Sequence, residues 1–168
     1  MPFTPFHLGP GLLFGLLLIR YVDLPTFLIA SVIVDVEPLL VLSLSLPYPL
    51  HGFFHSFLGG TLVALLLTAL MSKARKSMSP LLLVFKIKQT LSFKNILSAS
   101  LSGIYIHILL DSMMHIDIRP FYPLDLNPFL GISSVLGVYM LCISSVIGGV
   151  IIYTIKFFLS WNKREGRN

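Results

Sequence analysis

Residues 95–115 read NILSASLSGIYIHILLDSMMH. The stretch is long enough to cross a bilayer as one helix, for which about 20 largely apolar residues suffice. Within it stand a single acid, Asp111, and two histidines, His107 and His115. At 3.6 residues per turn, positions i, i+4 and i+8 drift by only about 80° in total, so the three share one helix face. An ionisable side chain inside a span costs about 2.5–3.5 kcal/mol on insertion scales and generally marks function. This stretch therefore points to a membrane fold and to a place where chemistry is concentrated.

The rest of the chain agrees. Of 168 residues, 55% are hydrophobic and 11% charged, against about 25% charged in a soluble domain, and the mean hydropathy is +0.89. A formal charge of +5 would suggest nucleic acid in a soluble protein. In a membrane protein it reports loop orientation instead, so no nucleic-acid partner is expected. The first cation, Arg20, follows an apolar run, so the start does not read as a cleavable signal. Cys142 is the only cysteine and lies in an apolar run, where it can form no internal disulfide.

Outward from residues 95–115, His51 to Met71 is a second full span and Phe129 to about Phe158 a third, the last almost uncharged and structural. Near the N-terminus, Leu8–Tyr21 and Thr26–Val36 are shorter than a straight span and read as a helical hairpin. Asp23-Leu24-Pro25 is its restart signal, an acid at a cap with proline in the first turn. The second run is expected to stop at Glu37-Pro38, and Leu39–Pro49 to be irregular or interfacial. Residues 73–94 form a linker with Lys73, Arg75, Lys76, Lys86, Lys88 and Lys94 and no acid. The expected architecture is one integral membrane domain over residues 1–168, all-α. It is a polytopic helical bundle with a short N-terminal hairpin and about three full transmembrane spans. The positive-inside rule puts the 73–94 linker and the basic tail in the cytoplasm of a cell that carries the chain in its plasma membrane.

On that topology every histidine (His7, His51, His55, His107, His115) falls on the extracytoplasmic side, with every acid except Asp23 and Glu165. His51 and His55 are spaced i,i+4, as are His107 and Asp111. Divalent metals such as zinc take imidazole nitrogen and carboxylate oxygen at about 2.0–2.2 Å, and an i,i+4 pair can offer two such ligands to one ion. Asp35 and Glu37 sit where a helix is expected to end, which lets both carboxylates turn toward one place. Small residues continue the histidine faces: Gly11 and Gly15 after His7, Gly59 after His55, Ala99 and Gly103 before His107. Such faces allow close helix approach. Plainer readings exist: Asp23 as a helix cap, Asp117 and Asp125 as loop residues, residues 35–38 as a solvated turn.

These elements resemble the membrane-bound metal-dependent hydrolases of the YdjM type. That pattern comprises an early His, a Pro-Asp-x-Asp element, an Arg-Gly-x-x-His-Ser element, and His-x-x-x-Asp followed by a loop with aromatic-Pro. Here they match His7, Asp35-Val36-Glu37, His51-Gly52-Phe53-Phe54-His55-Ser56, His107 to Asp111, and Arg119-Pro120-Phe121-Tyr122-Pro123, in order over residues 7–125. Val34 replaces the proline, Glu37 the second Asp, and His51 stands in the arginine's place. The resemblance implies His7, Asp35, His55, His107 and Asp111 as metal ligands and, through the family's likeness to zinc-dependent phospholipases C, hydrolysis.

The expected function is metal-assisted hydrolysis, with zinc the first candidate ion, of a phospholipid-like phosphoester drawn from the lipid bilayer. His115 or Glu37 would act as general base and Arg119 would grip the phosphate. The rivals are a divalent metal-ion transporter or channel and a membrane scaffold without chemistry.

Overall fold

A computed structural model describes residues 5–89 and 92–165, with side chains described through residue 159. Among its described residues the regular elements are all helices, with no strand. Seven α-helices follow in order: α1 (Leu8–Leu17), α2 (Leu24–Ala30), α3 (Val36–Ser43), α4 (Phe57–Ala74), α5 (Ser79–Val84), α6 (Phe93–Ser112) and α7 (Val135–Glu165). Four stretches are long and apolar enough to cross a membrane: Leu24–Ser43, Phe57–Val84, Phe93–Ser112 and Val135–Leu159. The apolar stretch Pro5–Leu17 is shorter. It reaches about 20 Å at 1.5 Å per residue, against a hydrocarbon core of about 30 Å.

The N-terminal hairpin is present, and its second arm is longer than the sequence suggested. Asp23 caps α2, its Oδ2 accepting from the Thr26 N–H at 3.2 Å and from the Thr26 hydroxyl at 2.7 Å, with Pro25 in the first turn. The helix breaks at Ser31–Val32, passes through a 3-10 turn (Ile33–Asp35) and resumes as α3. Glu37-Pro38 does not end it. Pro38 is the third residue of α3, where the backbone N–H has no intrahelical partner in any case, so proline is tolerated.

Other boundaries shift for local reasons. His51 and His55 do not share a helix face as their spacing suggested. They precede α4, which begins only after a 3-10 turn (Phe53–His55), with the Ser56 hydroxyl accepting from the Gly59 N–H at 3.0 Å as its cap. The span expected from Phe129 becomes helical at Val135, where the Ser134 hydroxyl accepts from the Gly137 N–H at 3.0 Å. Residues 73–89 are not a plain linker, since α4 runs on into a 3-10 turn (Arg75–Met78) and α5.

α2, α4 and α6 enclose the main core, built of Ala30, Val34, Ala64, Leu67, Met71, Ile96, Ile104 and Ile108, while α1 packs against α2 and α7. Close approach is made by small residues, as their spacing suggested. A Cβ on Gly103 would lie 2.6 Å from the Ala30 Cβ, and one on Gly11 would lie 2.5 Å from the Ser31 Oγ. Both contacts are too near for a larger side chain, so glycine backbone of α1 and α6 lies directly against the α2 end.

At the α2 start, Asp23 is more than a cap. Its Oδ1 accepts from Arg75 Nε at 2.6 Å, with both side chains 2% exposed. The Gln89 amide bridges the same place, its Oε1 accepting from Leu24 N–H and its Nε2 donating to the Ile19 and Val22 carbonyls. Removing one member of a buried ion pair strands the other and costs about 3–5 kcal/mol. Asp23→Ala is therefore expected to lower the apparent unfolding temperature in detergent sharply. Pairing it with Arg75→Met should restore most of the loss, a recovery that thermal unfolding of the double variant checks.

Candidate metal centre

The opposite end of α2, α4 and α6 carries the histidines. The α2 break is what opens the site. A continuous α-helix would direct the Asp35 N–H to the Ser31 carbonyl, but here it bonds to Val32 at 3.2 Å. The Ser31 carbonyl is thereby freed, and His107 donates to it through Nδ1–H at 2.8 Å. His107 Nε2 consequently points the other way, into the bundle.

His55 is oriented by the same device with a different partner. Glu37 accepts from the Gly52 N–H at 3.0 Å, the Phe54 N–H at 3.1 Å and His55 Nδ1 at 2.9 Å. One carboxylate on the first turn of α3 thus shapes the turn before α4 and turns His55 Nε2 inward. A carboxylate or carbonyl on one ring nitrogen, fixing the other for a ligand, is the usual arrangement around metal-binding histidines.

The inward atoms meet two buried carboxylates. His107 Nε2 lies 3.4 Å from Asp35 Oδ1 and 3.4 Å from Asp111 Oδ2. His55 Nε2 lies 3.8 and 4.0 Å from the same two oxygens. All four residues are at most 2% exposed. Neither Nε2 has a hydrogen-bond partner among the described residues, although buried polar groups nearly always have one. Ligands about 2.1 Å from a tetrahedral ion are about 3.4 Å from one another, so these separations suit atoms gathered around one cation better than atoms bonded to each other. Asp35, His55, His107 and Asp111 accordingly form a group with the composition and spacing to hold a metal ion.

His7 stands beside this group. Its Nε2 comes within 2.9 Å of Asp111 Oδ1 without meeting hydrogen-bond geometry, and its ring lies 4.2 Å from that of His107. The i,i+4 pairing of His107 with Asp111 on α6 is as the sequence suggested. His115 leaves that face because α6 ends at Ser112. Its ring turns to His51, with centroids 4.2 Å apart. All five histidines therefore lie in one row: His7 on His107, His107 at 5.5 Å from His55, His55 at 4.9 Å from His51, and His51 on His115.

Asp117 lies in a loop, as its position in the sequence suggests, but it is not idle there. It accepts from the His51 backbone N–H at 3.1 Å and faces His51 Nδ1 at 3.0 Å. Nothing in the sequence pairs two loop residues 66 positions apart. Burial lowers the His51 imidazole below the ordinary histidine range, with the His55 ring adding to the effect. Burial does the same to His115, reinforced by His51. Burial pulls His55 down too, but Asp35 and Glu37 outweigh it and raise the net value. Burial raises the Asp117 carboxyl, but the His51 donors carry it below the usual carboxylate range. A cavity of about 330 Å³ adjoins, lined by Tyr48, His51, Asp117, Arg119 and Tyr122 among others. Arg119 is 58% exposed on its rim and pairs with Asp125 at 3.0 Å.

Hydrogen bonds to charged groups contribute about 1.5–3 kcal/mol each. Glu37→Ala is expected to release the Gly52 and Phe54 amides, speeding their hydrogen exchange by about tenfold or more while amides within α6 keep their protection.

Comparison with known proteins gives one family. No curated protein and no solved structure matches the chain. The model described as "YdjM inner membrane protein" matches residues 1–167, so the chain belongs to the YdjM inner membrane protein family and is a multi-pass membrane protein.

Proposed function

We propose that this protein is a membrane-embedded, metal-dependent hydrolase acting on a phospholipid-like phosphoester at the membrane boundary. The observation that carries the reading is the pair of buried imidazole nitrogens of His55 and His107, unpartnered among the described residues and aimed at two buried carboxylates at ligand-to-ligand spacing. A cation would satisfy both nitrogens, and His2Asp2 is a donor set that zinc accepts.

Asp35, His55, His107 and Asp111 would hold the ion, with His7 packed on His107 and Asp111. A bound divalent ion supplies Lewis acidity, polarising a phosphoryl oxygen and activating water near neutral pH. Glu37, a candidate base by sequence, is engaged by three donors, and its role in this reading is to position His55. Arg119 and Tyr122, on the cavity beside His51, suit a phosphate that approaches from the interface. The basic 73–94 segment supports an extracytoplasmic placement of the histidine end.

The transporter reading has less support. Between the histidine cluster and the Asp23–Arg75 pair, residues 24–34, 57–72 and 95–106 contain no Asp, Glu, His, Lys or Arg to relay a cation.

The test is metal analysis of detergent-purified protein by mass spectrometry, followed by assay on a short-chain phospholipid. Wild type should carry stoichiometric metal. Asp111→Asn and His107→Ala should each lose the ion of this group, about one equivalent relative to wild type, and chelation should abolish hydrolysis. Metal-free wild type under all reconstitution conditions sinks the reading. So does metal-loaded protein that turns over no phosphoester while proteoliposomes take up the ion.

A further inference from the structure

Beside the four-residue group, His51, His115 and Asp117 form a second one, each offering a ligand atom within 4.8 Å of the others. They come from three places: the segment before α4, the end of α6 and the loop beyond it. His51 is 3% exposed. Its Nδ1 lies 3.0 Å from Asp117 Oδ2, and with the ring proton on Nε2 both atoms can face one cation. His115 stacks on it at 4.2 Å with a 33° tilt, placing two imidazoles and a carboxylate at one spot. The two groups adjoin through the His51 and His55 rings, 4.9 Å apart.

Their surroundings differ in a way that matters for chemistry. The four-residue group has two histidines and two carboxylates, all buried, enough to close a tetrahedral ion. A reacting ion keeps one position open and takes three protein ligands. His51 and Asp117 line the 330 Å³ cavity, and the Asp117 side chain is 34% exposed.

We infer that His51, His115 and Asp117 bind a second divalent cation, open to the adjoining cavity, and that a substrate meets this ion rather than the enclosed one. The inference rests on the reading of the four-residue group as a metal centre and extends it to a pair of ions. It also changes the part His115 plays, since an imidazole bound to a cation cannot accept a proton from water. A phosphoryl oxygen entering the cavity would find the ion on one side and Arg119 on the rim.

The experiment is a cobalt titration of chelator-stripped full-length protein in detergent, read by visible absorption and by equilibrium dialysis. Wild type is expected to bind two equivalents of Co2+. His115→Gln and Asp117→Asn should each bind one, with thermal unfolding of both variants confirming that they are folded. Asp117→Asn decides the matter if His115→Gln proves unstable, because Asp117 is the more exposed. A single equivalent in wild type that both folded variants retain, or two undiminished equivalents in those variants, overturns the second site and leaves the enclosed site standing, whereas a single equivalent that both variants lose overturns the enclosed site and with it the pair. No cobalt bound by wild type overturns both.

Discussion

The Asp35 and Asp111 carboxylates, 2% exposed within apolar helices, are the constraint on which the rest of the arrangement depends. A charge withdrawn from water needs a close and well-oriented counterpart. The fold brings histidine nitrogens to 3.4–4.0 Å from them, the spacing of ligands around one cation. Each of those nitrogens is aimed by a bond on the far side of its ring. The break between α2 and α3 frees a carbonyl for His107, and the turn before α4 wraps around Glu37 to set His55. Features that look like defects in helical regularity are therefore the parts that hold the donors in place.

Much of this was legible in the sequence. The run at 95–115 announces a span, and His107 with Asp111 announces a shared face. The small residues at Gly11 and Gly103 signal close packing around α2. Gathering of the histidines at one end follows from topology alone. These features are local or depend on residue type, and the 3.6-residue period carries them directly.

What stayed hidden depends on long-range partners or on backbone groups. Glu37 reaches residues 15 to 18 positions away, and no spacing rule links a helix start to a later turn. The Ser31 carbonyl is available only because a backbone bond shifted by one residue, which no side chain reports. His51 and His55 looked like one helix face because i,i+4 spacing is shared by helices and by other turns, and Ser56 places the cap after them. Asp117 was passed over because its partner lies across the fold. Pro38 misled for a simpler reason: proline ends a helix from within but is at home in its first turn.

The Asp23–Arg75 pair and its Gln89 bridge have a consequence for the surrounding lipid. α2 and α4 are pinned to each other at that end, and α2, α4 and α6 are pinned at the other by the histidine–carboxylate cluster. These helices act as staves fastened at top and bottom, unable to slide or tilt singly without opening one of the fastenings. A bilayer thinner or thicker than the distance between them is met by tilt of the bundle as a whole or by the lipid stretching or compressing around it, since tilt of single helices, a common remedy for mismatch, is opposed. Membrane thickness thus becomes a mechanical load on the polar ends of this bundle, and it is shared between a salt bridge at one rim and a cluster of imidazoles at the other.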